Sequence, residues 1–299
     1  MPARAWLLLV SVGVALGTAT SGPPGQVKVG PRLSQDECRR IAADSLGVRP
    51  EDLQEKAGGV VEEVRTTSPP FWVFTIPYKD SEQAEEWQRE RGRVRIRVNA
   101  WDGQVMDVHY SARQLQVGEA RLGEGDARRS AEAYLKSHWS PWPRARFLSA
   151  HREDNKGTPF PPEWLLKWVA EENGIRVGLG DLTVNGTTGE VVEYSQRYYP
   201  AKGLPPPRLG QQDALRKAQQ AVAEREPGVA LEAELGDSYL MTTWRSGNVR
   251  LAWSVRLRAG ARSAEGGQTP QRGRMYDVVL DAQTGEVYNI VAWHGNGMG

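Results

Sequence analysis

Cysteine is almost absent from this chain. Its 299 residues include one, Cys38, so no internal disulfide can form and stability must come from packing. Cys38 lies on the apolar stripe Cys38, Ile41, Ala42 and Ser45, which reads as a buried small hydrophobe and not as a reactive thiol. Histidine is also scarce. His109, His138, His151 and His294 are scattered, with no His-x-x-x-His or Cys-x-x-Cys spacing to hold a metal and no sign of a nucleophile, base and orienting acid. Gly178-Leu179-Gly180 lacks the strand-loop-helix setting of a phosphate loop. The expectation is therefore a chain that is not an enzyme, with no catalytic, cofactor-binding or metal-ligating residues.

Charge of one sign is missing as well. Lys and Arg total 38 against 37 for Asp and Glu, which argues against nucleic acid as a partner. The arginine run Arg89, Arg91, Arg93, Arg95 and Arg97 is interleaved with Glu85, Glu86 and Glu90, the pattern of a solvated charged face. Long apolar runs are missing beyond the first residues. There, Arg4 precedes a stretch of about a dozen apolar residues, Leu7 to Gly17, and the small residues Thr18 to Ser21 follow. That is the form of a secretory signal peptide over residues 1–21, too short for the roughly 20 residues of a membrane span. The expected mature protein is secreted or extracytoplasmic, with no membrane span after cleavage, and the lack of disulfides fits a bacterial exported protein.

What is present is repetition. A turn of the form Asx-x-x-x-Gly-x-Val occurs at Asn99 to Val105, Asn185 to Val191 and Asp281 to Val287, with Gly103, Gly189 and Gly285 as its glycines. Each copy sits roughly 60 to 70 residues after the start of a short amphipathic helix, so the repeating object is a whole module. The first helix opens on a capping box, Ser34-Gln35-Asp36-Glu37, and stops at Gly47. The second carries Ala127, Ala131, Tyr134, Leu135 and His138 at helical spacing. The third carries Ala214, Leu215, Ala218, Ala221 and Val222 ahead of Pro227-Gly228.

Strand patterns follow each helix. In the first module they cover residues 60–67, 71–78, 93–101 and 104–111; in the second 145–154, 163–171, 175–185 and 190–198; in the third 231–244, 249–258, 274–282 and 286–293. With each turn glycine left-handed, Val98, Ile96 and Val94 should oppose Met106, Val108 and Tyr110. The same count sets Leu182 and Val184 against Tyr194 and Val192, and Tyr276, Val278 and Leu280 against Ala292, Ile290 and Tyr288. It also pairs Arg97 with Asp107 and Arg95 with His109 on a solvated face. The first and third modules carry insertions, charged at 79–92 and Gly-rich at 259–273.

The order of helix, antiparallel strands and an Asp/Asn-x-x-Thr-Gly-Glu-Val hairpin resembles the PepSY domain family and its tandem-repeat, YcdB/YcdC-like relatives. The match is closest at Asp281, Thr284, Gly285, Glu286 and Val287 and at Asn185, Thr188, Gly189, Glu190 and Val191, with Trp72 and Trp253 as second-strand aromatics. The first turn departs, with Trp101-Asp102 ahead of its glycine and Gln104 in place of Glu. The fold expected is α+β: three tandem PepSY-like units, each one helix packed on a small antiparallel sheet. They would occupy residues 32–117, 118–200 and 209–299, after a leader at 22–31 and with a Pro-rich linker at 201–208. The resemblance implies an exported, non-catalytic binding module, an inhibitor or regulator of an extracytoplasmic peptidase or a ligand of another envelope protein. Eleven tryptophans suggest the alternative, a glycan-binding or hydrolytic protein. Trp139, Trp142, Trp164 and Trp168 would line its cleft, with Glu163, Glu171 and Glu172 as carboxylates; a core made of large residues explains the same cluster.

Overall fold

The computed structural model describes residues 32–55, 69–77, 93–114, 122–155, 158, 160–232, 238–245, 247–259 and 274–294. The signal segment, the leader up to residue 31, the strand expected at 60–67, the insertion at 79–92 and all but Ala259 of the one at 259–273 lie outside them.

Helix α1 (Gln35–Leu46) begins at the expected capping box. The Glu37 amide donates to Ser34 Oγ at 3.3 Å, the Ser34 amide donates to Glu37 Oε2 at 2.7 Å, and Gly47 ends the helix left-handed at φ 65°. Strands β1 (Gln54–Glu55), β2 (Phe71–Ile76), β3 (Val94–Asn99) and β4 (Val105–Tyr110) follow, then the short helix α2 (Ser111–Gln114). Helix α3 (Glu124–His138) leads to β5 (Ala145–Glu153), β6 (Glu163–Glu172), β7 (Ile175–Asn185) and β8 (Val191–Tyr198). Helix α4 (Gln211–Arg225) leads to β9 (Leu231–Glu232), β10 (Ser238–Arg245), β11 (Asn248–Ala259), β12 (Arg274–Asp281) and β13 (Val287–His294).

These strands overturn the expected α+β arrangement of three units, each with its own sheet. The protein is mostly β, and among the described residues its strands form one mixed sheet of thirteen, in the order β1-β2-β3-β4-β8-β7-β10-β11-β12-β13. Strand β5 pairs with β6, β6 with β7 and β9 with β11. The reason is edge pairing, which satisfies backbone groups that a small separate sheet would leave open. Strand β4 joins β8 through Asp107–Ser195, Val108–Tyr194 and His109–Glu193, and β7 meets β10 in parallel at Arg176–Met241. Side chains reinforce both joints: Gln196 Nε2 donates to the Val105 carbonyl at 2.6 Å, and Thr242 Oγ1 donates to the Tyr199 carbonyl at 2.7 Å.

The core follows the same continuity. One cluster unites Cys38 and Ala42 of α1, Phe74, Ile96 and Val108 of the first strands, Leu135 of α3, and Trp168, Leu182 and Tyr194 beyond them. A second lies under α4, where Ala214, Ala218 and Val222 meet Val255, Leu257, Tyr276, Val278 and Leu280. Alanines on the inner helix faces let the helices approach the sheet closely. The Gly178-Leu179-Gly180 run has the same purpose: a Cβ at Gly178 would stand 3.1 Å from the Trp139 ring.

The repeated turn is a hydrogen-bonded knot. In each copy the Asx side chain accepts backbone amides ahead of it: Trp101 N to Asn99 at 2.8 Å, Thr187 N to Asn185 at 2.8 Å and Gln283 N to Asp281 at 2.7 Å. The turn glycine then donates to the Asx carbonyl at 2.9 Å in all three, with φ of 77°, 78° and 75° at Gly103, Gly189 and Gly285. Thr188 and Thr284 accept the following amide through Oγ1, and Asp102 does so in the first turn, at 3.0 Å. The first copy therefore keeps the chemistry while departing in sequence. Its Trp101 packs edge-on against Trp244 of β10, ring centroids 5.1 Å apart, and so ties the first hairpin to the last third of the sheet.

Away from the turns the expected register holds, as at Ile96–Val108, Leu182–Tyr194 and Val278–Ile290. Next to each turn a bulge shifts it by one, so Val98, Val184 and Leu280 face Val105, Val191 and Val287.

Each knot also fixes a helix. Its second residue accepts the amide of the leucine that leads into the helix: Leu33 N to Ala100 O at 2.8 Å, Leu122 N to Gly186 O at 3.1 Å and Leu209 N to Ala282 O at 3.0 Å. The indoles of Trp164 and Trp253 donate in turn to the carbonyls of Leu122 and Leu209, at 3.1 and 2.8 Å. Gly189→Val should therefore destabilise the protein by about 2 kcal/mol or more in urea unfolding, through left-handed strain and a clash with Leu122, whose Cδ1 would lie 3.2 Å from the new Cβ. Gly174→Val, at φ 76° with open space around it, should cost less.

Candidate functional site

The residues singled out from sequence fall mostly into structural roles. Trp139 and Trp168 are 2% and 1% exposed and belong to the core, while Trp142 and Trp164 are half-buried against it, the Trp164 indole donating to the Leu122 carbonyl. Glu171 pairs with Arg146 at 2.8 Å and Arg176 at 3.6 Å, Glu172 pairs with Arg144, and Glu163 is buried. The Cys38 thiol is fully buried, and burial pushes its pKa up to about 11. The His138 ring stacks on Tyr134 at 4.0 Å with Nδ1 2.8 Å from that residue's carbonyl oxygen, while His151 is exposed on β5. The side chain of His294 lies outside the described residues.

Arg97–Asp107 and Arg95–His109 pair across β3 and β4 as expected, but the face they occupy is not solvated at its centre: Asp107 is 1% and His109 6% exposed. Strand β8 runs alongside, and the arginine side chains cover the carboxylate.

The helices all lie on the other face. Val108 and Tyr194, paired across β4 and β8, both enter the core beneath α1 and α3. Arg176 and Met241, paired across β7 and β10, both point away from the helices, because a bulge beside Val177 turns Arg176 outward. The helix-free face is thus continuous across both joints.

At the β7–β10 joint this face folds into a groove of about 570 Å³. One wall carries Lys167, Val169, Leu179 and Arg197; the other carries Tyr239, Arg256, Asp277 and Val279; Arg176 and Met241 sit where they meet. Most of its cations are partly compensated. Lys167 lies 3.9 Å from Asp181, Arg176 stacks 3.5 Å over the Tyr239 ring, and Arg256 bonds Asp277 at 2.9 Å. Arg197 is exposed and has no carboxylate at ion-pair distance among the described residues.

Three large apolar side chains are exposed among the described residues: one lines this groove and two stand on the strand beside its far wall. Leu148, 42% exposed, is the bulged residue of β5 and lines the rim. Val291 and Trp293, 46% and 36% exposed, lie on β13 beside Asp277, to which the Trp293 indole donates at 3.1 Å. Apolar groups gathered beside fixed cations form a surface suited to docking a polypeptide, whereas singly scattered ones would carry no such meaning.

Sequence reading missed this site because its residues come from β5, β6, β7, β8, β10, β11, β12 and β13 and share no motif. The available signal was the outward position of Lys167, Arg197 and Arg256 on alternating strands.

The buried Asp107 gives a pH test of the same face. Burial raises its pKa above the ordinary 3.8, Arg97 and Arg95 offset that only in part, and Glu193 adds to it. Its stabilising contribution is thus complete below 3.8 and lost as pH rises through the raised value. Asp107→Asn should unfold at a higher urea midpoint than wild type at pH 7, and the gain should disappear by pH 3.5. An equal change at both pH values would contradict the assignment.

No protein-family model matches the sequence, and no curated protein matches it. Among solved structures the chain is similar to the Bacillus megaterium YpeB C-terminal domain, with a TM-score of 0.41 and 13% identity over 88% of this chain and 99% of that one. Likeness at that level establishes neither family nor activity.

Proposed function

We propose that the chain is an exported, non-catalytic, PepSY-like binding module that docks a protein partner on its helix-free face, an extracytoplasmic peptidase being the partner class. The observation that carries this reading is the exposure of Leu148 on the rim of one cation-bearing groove and of Val291 and Trp293 on the strand beyond its opposite wall, all on the same face. The helices and hairpins supply a rigid frame for it. A surface of this kind gains by apolar burial at its centre and uses the charged residues to select and orient the partner. Export follows from the Arg4-led apolar segment and its small-residue exit.

The test uses the exported chain from its own host, whose N-terminus mass spectrometry should place near residues 19–22. Immobilised, it should retain an exported peptidase and slow that enzyme's cleavage of a protein substrate. A Leu148→Ser/Trp293→Ser double variant should lose both effects while keeping its unfolding midpoint. Retention indifferent to those substitutions would contradict the docking face. Hydrolysis of glycans or esters by the purified chain, abolished by Glu171→Gln, would establish the enzyme reading instead.

A further inference from the structure

We infer that the groove takes one extended peptide segment that crosses the strands, with a carboxylate seated at Arg197 and large apolar side chains at both ends. This rests on the docking reading above and specifies its occupant. Two observations fix the shape of the ligand. The exposed apolar residues lie at opposite margins of the groove, Leu148 on the edge strand β5 and Val291 with Trp293 on the edge strand β13. A compact small molecule filling the 570 Å³ between them would leave both margins uncovered. From β5 through β6, β7, β10, β11 and β12 to β13 there are six inter-strand steps, a contour of about 29 Å along the sheet, which sets an upper limit of roughly nine extended residues.

Charge fixes the sign of its centre. Lys167, Arg176 and Arg256 each have a carboxylate within 4 Å, at Asp181, Glu171 and Asp277 respectively. Arg197 shares the field of Asp181 with Lys167, so the four cations outnumber the three carboxylates, and it stands on the groove wall next to Leu179. A carboxylate brought there meets Arg197 directly and the loosely held Lys167 nearby, so the groove selects an acidic segment over a basic one. Apolar wall residues, Val169, Leu179 and Val279, suit aliphatic neighbours of that carboxylate.

The probe is a fluorescein-labelled twelve-residue peptide with Leu near one end, Trp near the other and Asp-Val-Asp at its centre. Two companions have Lys-Val-Lys or Asn-Val-Asn at the centre, and a third is the central five residues alone. Anisotropy titration with the full mature chain should give the tightest binding for the acidic twelve-mer, weaker binding for the amide form and none for the basic form. Arg197→Glu should weaken the acidic peptide by roughly tenfold and admit the basic one, a charge swap that a misfolded variant could not produce. Leu148→Ser and Trp293→Ser should each weaken the twelve-mer and leave the five-mer unchanged. Equal binding of acidic and basic peptides, or no binding of any, overturns the inference. If a peptidase is nonetheless retained through Leu148 and Trp293, the docking reading stands and only the acidic extended occupant fails; if that retention also fails, both fall.

Discussion

Everything in this fold depends on one backbone carbonyl in each hairpin. Ala100, Gly186 and Ala282 each present their oxygen to the amide of the leucine that leads into a helix, at 2.8, 3.1 and 3.0 Å. The carbonyl can point that way because the preceding Asn or Asp ties down the turn amides and the glycine closes the loop left-handed. A helix of a dozen residues has little stability of its own, so its position must come from such a tether and from the apolar face it buries. Both act here: the tether sets where the helix starts, and alanines at its inner positions set how near it lies.

Because all three tethers lead to the same side, the sheet has one covered face and one open face. Thirteen strands could be joined on those terms only if the former edges matched in twist and register, and the joints show how little contact that takes. Three residue pairs link β4 to β8, and one parallel bridge links β7 to β10, with Trp101 against Trp244 bracing the second. The groove lies at that sparse joint.

Much of the local structure was legible in the sequence. The capping box at Ser34, the helix stops at Gly47 and ahead of Pro227 and most strand limits follow from side-chain periodicity, which each segment carries within itself; the single strand expected at 231–244 is instead described as β9 and β10, and the one at 60–67 lies outside the described residues. The turn residues were legible for the same reason, and Asp102 shows why pattern matching alone undervalued the first copy: a carboxylate oxygen accepts the amide that a threonine hydroxyl accepts elsewhere. The one-residue bulges were not legible, because they arise from closing the knot around the Asx side chain. Nor was the joining of strands into one sheet, since alternation tells which face a residue occupies and nothing about which edges meet. The groove was hidden for that reason: Lys167 and Arg256 are 89 positions apart in the chain and become neighbours only across the β7–β10 joint. The Trp cluster illustrates the opposite case, a conspicuous composition whose members the core absorbs.

The most direct measurement of this account is residue-resolved amide hydrogen exchange on the full chain without a partner. If the three tethers are the constraint that places the helices, the amides of Leu33, Leu122 and Leu209 should exchange nearly as slowly as those of the central strands, along with Gly103, Gly189 and Gly285, which donate within the knots. Exchange at those six amides as fast as at Gly203, which lies in an exposed turn, would contradict it.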